Sequence, residues 1–106
     1  MEKFITPGPL PSDYEKELLV CLMEEAFECL DHMGPRASKA IRFGLDEVQP
    51  GQDRTNRQRL TQEIGDLCAV IDRLAECGVL SMAEIIAAKE RKKPKLDKYI
   101  QSETPK

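Results

Sequence analysis

Tryptophan is absent from this chain, and only two Tyr, three Phe and one His occur among its 106 residues. With so few aromatic rings, any platform for stacking bases would have to come from Phe27, Phe43 or Tyr14, and each of these is expected in the core. No apolar run approaches the roughly 20 residues that cross a bilayer. No segment alternates with period two for long enough to form a strand, so the class is all-α. The four cysteines, Cys21, Cys29, Cys68 and Cys77, form no C-x-x-C pair. They read as small, reduced core thiols, with a structural zinc site the lesser alternative. An excess of basic charge is missing as well: the formal net charge is -3, which argues against a nucleic-acid footprint despite the locally basic segment KERKKPKLDK. The opening MEKFITPGPLP has neither a basic n-region nor an apolar h-region, so the expected location is cytoplasmic.

What the chain has is acid in two places. Glu24, Glu25 and Glu28 lie in the run LMEEAFECL, and Glu63 and Asp66 in LTQEIGDLC, both within apolar helical patterns. Carboxylates three and four residues apart share a helix face and repel one another by a few tenths of a kcal/mol, roughly. No Lys or Arg stands between the paired acids; the nearest are Arg59 and Arg73. Carboxylates from two antiparallel helices can instead surround Mg²⁺ or Mn²⁺, hard cations that take oxygen ligands and bridge to phosphates.

The chain is sized for a single domain, residues 1–106, with an extended Pro-rich arm at 1–11 and a basic tail at 95–106. Ser12 or Asp13 caps a first helix that Gly34 ends, with His32 in its last turn as a favourable charge for the helix C-terminus. Pro35 opens a short second helix, ASKAIRF, stopped by Gly44 and carrying Lys39 and Arg42. The loop LDEVQPGQDR follows. Asp53 or Thr55 caps a third helix running to about Cys77, and Ser81 with Glu84 opens a fourth that Pro94 ends or kinks. The expected architecture is a small bundle of about four helices. Its apolar positions are more numerous than one short subunit covers, so a homo-oligomer, dimer or tetramer, completes the core.

The pattern E-E-x-x-E followed by E-x-x-D resembles the all-α nucleoside triphosphate pyrophosphohydrolases, the MazG-like group with its dimeric dUTPase and dCTPase relatives, over residues 15–92. The resemblance implies Mg²⁺-dependent hydrolysis of an NTP or dNTP to the monophosphate and pyrophosphate, with Mn²⁺ able to substitute. It implies metal ligation by Glu25, Glu28, Glu63 and Asp66, with Glu24 as the base. It also carries Lys39, Arg42, Asn56 and Lys89 as substrate contacts. The 34 residues between Glu28 and Glu63 make a longer connection than in many members, because the short helix and the loop both fall there. A di-iron carboxylate bundle would need paired E-x-x-H motifs, and the chain has only His32. The alternative from another class is a non-catalytic helical module that offers its amphipathic faces to a partner and leaves the acids solvated.

Overall fold

The computed structural model describes residues 8–100 and 102. Most of the arm and the end of the basic tail therefore lie outside the described residues, which hold three helices: α1 (Asp13–Phe43), α2 (Asn56–Glu76) and α3 (Met82–Leu96). Each begins where the sequence supplies a cap. Ser12 accepts from the Glu15 N–H while Glu15 reaches back to the Ser12 N–H, and Thr55 and Gln58 do the same for α2. Ser81 accepts from the Glu84 N–H at the start of α3. These bonds, reciprocal at α1 and α2 and one-way at α3, satisfy amide donors that the first helical turn leaves unpaired.

The helix count corrects the four expected. Gly34 and Pro35 do not separate a first helix from a second; α1 runs through both for 31 residues. A glycine and a proline in a helix interior cost about 1 and 3 kcal/mol against alanine. The helix continues because contacts to α2 hold it on both sides of that pair: the Cys29 thiol donates to the Glu63 carbonyl at 3.4 Å, and Arg36 bonds the Glu63 carboxylate. Gly44, at φ 102°, is the true terminus, its N–H on the Ala40 carbonyl. Likewise Pro94 does not end α3, which continues to Leu96 with the proline inside its last turn.

α1 and α2 form an antiparallel hairpin. As the chain advances through Tyr14 and Cys29 of α1 to its cap at Gly44, the partners on α2 recede through Arg73, Glu63 and Asn56. The connection between them is clipped at its neck, where the Asn56 N–H donates to the Glu47 carbonyl, the Arg57 N–H to the Leu45 carbonyl, and Val48 forms an antiparallel bridge with Thr55. At its tip the Gln52 N–H closes a turn on the Gln49 carbonyl, and Gly51 has the φ of 80° that position i+2 of a type II turn requires after Pro50. Gly78, at φ 82°, ends α2, and the Val79 and Leu80 N–H groups both return to the Leu74 carbonyl.

Among the described residues almost nothing is fully enclosed. Leu74 and Cys29 are the buried hydrophobic residues, joined by buried Asn56 and Glu63. Tyr14, Phe27 and Phe43, expected in the core, are exposed, as are Cys21 and Cys68. α1 buries Cys29, α2 buries Asn56, Glu63 and Leu74, and α3 buries no residue, so among the described residues the outer faces of α1 and α2 have no third layer. The radius of gyration, 18.4 Å, agrees with this openness, since a compact domain of about 100 residues has roughly 13 Å.

Candidate metal centre

Glu25, Cys29, His32 and Arg36 recur along α1 at spacings of four, three and four, so they lie on one helix face. That face meets α2 at Glu63. The Glu63 side chain is 10% exposed, and its Oε1 accepts from Arg36 Nη1 and lies 3.5 Å from His32 Nδ1. The counter-charge for this acid is therefore long-range, from the neighbouring helix. His32, expected to serve a helix terminus, sits mid-helix beside a carboxylate.

Glu25 is half-buried and its Oε2 is enclosed without a hydrogen-bond partner. Burial raises its pKa above the ordinary carboxylate value, and repulsion from Glu28, Asp66, Glu63 and Glu24 adds in that order. Acids of both runs thus act on Glu25 in the same direction. Burial, followed by the fields of Glu63, Glu25, Asp66 and Glu28, likewise pushes the Cys29 thiol up. Glu24, Glu28 and Asp66 are exposed at the edge of this region.

An enclosed carboxylate oxygen lacking a donor, as at Glu25, is of the chemical kind that a hard divalent cation takes. Among the described residues, however, no three His, Cys, Asp or Glu side chains converge as a ligand group. Glu63 Oε1 is engaged instead by the basic side of the α1 face, Arg36 and His32, and Glu25, Glu28 and Asp66 do not converge without it.

The expected substrate contacts are dispersed. Lys39 Nζ and the Arg42 guanidinium stand 5.4 and 5.0 Å from the Phe43 ring centroid near the end of α1. Asn56 is fully buried at the start of α2, with Nδ2 on the Gly44 carbonyl at 2.9 Å and Oδ1 without a partner. Lys89 is exposed on α3, a helix that makes little contact with the hairpin. Sequence reasoning missed Arg36 and the Cys29 to Glu63 bond. The register of residues 25, 29, 32 and 36 carries the signal, which reading a helix end at Gly34 conceals.

A shallow apolar cleft of about 340 Å³ lies along α1, lined by Cys29, Leu30, Met33, Gly34 and Ala37. Among the described residues no helix is long and apolar enough to cross a membrane. No protein-family model matches the chain, and neither a curated protein nor a solved structure matches it.

Proposed function

We propose that this chain is a MazG-like pyrophosphohydrolase that converts a nucleoside or deoxynucleoside triphosphate to the monophosphate and pyrophosphate, with Mg²⁺, as a cytoplasmic homo-oligomer. The observation that supports this reading is the facing position of the two acidic runs on the α1–α2 hairpin, tied by the Cys29 to Glu63 bond, with an enclosed, donor-less carboxylate oxygen at Glu25. Glu25, Glu28, Glu63 and Asp66 are the residues that would hold the metal. Magnesium, when bound, supplies charge neutralisation and Lewis acidity to the triphosphate.

The chain's own contribution is positional and acid–base. Glu24, exposed one residue before Glu25, takes the proton of the attacking water as its oxygen bonds to the α-phosphorus and the bond to the pyrophosphate oxygen breaks. Lys39, Arg42 and Lys89 offer cations to the phosphates. Asn56, enclosed in this arrangement, meets substrate only after the neck around Gly44 opens.

A second copy of the chain is the proposed cover for the outer face of α1. Val20, Met23, Phe27, Leu30, Gly34, Ala37 and Ile41 repeat at alternating spacings of three and four, the period of a coiled-coil seam. Leu30 is 76% and Ile41 86% exposed within it. The same seam favours the other reading, a non-catalytic helical module, in which a partner helix covers it and the acids stay solvated.

A panel of nucleoside triphosphates with Mg²⁺, with products resolved, decides between them. Monophosphate and pyrophosphate are expected. Diphosphate with phosphate, or no turnover on any nucleotide and only weak, salt-screened Mg²⁺ binding by calorimetry, overturns the enzymatic reading.

A further inference from the structure

Arg36 is a cation inside the hairpin that the proposed reaction does not use. Its side chain is 18% exposed, against 10% for its partner Glu63. The other ion-paired lysine and arginine side chains among the described residues differ: Arg57, Arg73 and Lys93 are all more than half exposed, as are their acidic partners. Arg36 Nη1 donates to Glu63 Oε1, yet its Nε–H is enclosed with no acceptor. Guanidinium groups are held firmly when several of their five N–H donors are satisfied. This one is anchored through Glu63 and left incomplete on its other edge.

The same helix face carries the complementary deficit, the enclosed and donor-less Oε2 of Glu25. Arg36 cannot relieve it. Eleven residues separate the two along α1, a rise of about 16 Å at 1.5 Å per residue, well beyond the reach of an arginine side chain. Glu63 lies between an unsatisfied acid on one side and an incompletely satisfied base on the other. A guanidinium and a divalent cation are competitors for its Oε1, because two cations at one oxygen repel strongly in a partly enclosed setting.

We propose that Arg36 is a built-in placeholder cation, neutralising Glu63 in the metal-free chain and exchanged for the divalent cation when that binds. The inference rests on the reading of Glu63 as a metal ligand. Exchange frees Glu63 to turn toward Glu25, Glu28 and Asp66, and it removes the guanidinium from a position in which its Nε–H has no partner. The metal-free chain thereby avoids a buried, unpaired acid, and its affinity for metal is set by competition with an internal cation.

The test is Mn²⁺ binding by electron paramagnetic resonance to the full chain and to Arg36→Gln, together with arginine Nε–H exchange by NMR in the unaltered chain. Arg36→Gln should bind Mn²⁺ about tenfold tighter or more, the factor by which affinity is lowered when the competent state is a tenth populated or less. In the unaltered chain, saturating Mg²⁺ should speed Arg36 Nε–H exchange with solvent by at least about tenfold by the same population argument. Equal or weaker Mn²⁺ binding by a folded Arg36→Gln overturns the proposal. If that variant is unfolded without metal, the NMR measurement decides alone: an Nε–H signal unmoved at Mg²⁺ levels that displace bound Mn²⁺ overturns it. Failure of the unaltered chain to bind Mn²⁺ at all removes the metal reading itself and this inference with it, a result distinct from binding that Arg36 does not affect.

Discussion

The Cys29 thiol donates to the backbone carbonyl of Glu63 at 3.4 Å, joining the two helices at the acid whose side chain takes Arg36. Burial and the surrounding carboxylates both favour the protonated thiol, which is the form that can donate this bond. Because the thiolate is the reactive species, Cys29 should alkylate far more slowly at pH 8 than the exposed Cys21 and Cys68. Mass spectrometry of iodoacetamide-treated protein, peptide by peptide, checks this; equal labelling of Cys29 in the folded chain would contradict the buried bond.

Two acids assigned to the same metal should behave differently without it. Glu63→Gln leaves the mostly buried Arg36 guanidinium without its ionic partner and should lower stability by on the order of 3 kcal/mol. Asp66→Asn, at an exposed position, should shift it by about 0.5 kcal/mol or less. Both should abolish turnover. Urea denaturation of the metal-free variants separates the pair.

Glu25→Gln should raise the melting temperature of the metal-free chain at neutral pH. The sign follows from linkage: a carboxyl whose folded pKa lies above its unfolded value, here 4.5, penalises the fold when ionised, and the penalty vanishes below pH 4.5. The gain from the substitution should therefore shrink as pH falls from the raised value toward 4.5. Thermal scans across that interval, with a chelator present, measure it.

Glu24 and Glu28 are assigned different roles, base and ligand. Glu24→Gln should cut kcat by about 10² while changing Mn²⁺ affinity much less than Glu28→Gln does. Single-turnover kinetics beside Mn²⁺ titration tells them apart; equal losses of metal would make Glu24 a ligand.

Light scattering should return a mass of at least two copies of the 12.0 kDa chain. Leu30→Asp, in the middle of the exposed seam, should reduce it to one copy with helix content retained, because a charge replaces an apolar contact that the association needs. A single-copy mass for the unaltered protein would leave the seam to another partner.

The caps were the most legible feature of the fold. Ser12, Thr55 and Ser81 act within three residues of themselves, so local sequence narrows each cap to one or two candidates, Ser12 against Asp13 and Thr55 against Asp53. Gly44 and Gly78 were legible as termini for the same reason. Gly34 and Pro35 misled because their local preference is overridden by cross-helix contacts on either side, at Cys29 and Arg36, and no local rule contains these. Each acidic run was legible as one helix face, since its members stand within three or four residues of one another. The partner of Glu63 was not: Arg36 lies 27 residues earlier and meets it only through the register of two helices. Burial was over-assigned at Phe27 and Phe43 because periodicity identifies an apolar stripe without saying which molecule covers it.

The loop between α1 and α2 is closed at its neck, by the Asn56 and Arg57 amides and the Val48 to Thr55 bridge, before its tip at 49–53 is reached. The spacing of the two helices is thus decoupled from the length of the tip. Residues added there meet only the slow growth of loop entropy, about 0.6 kcal/mol for each doubling, and leave Glu25 and Glu63 in register. The tip is a permissive insertion point, a place where new sequence can be grafted onto the hairpin or exchanged without remaking the helices that carry the acids.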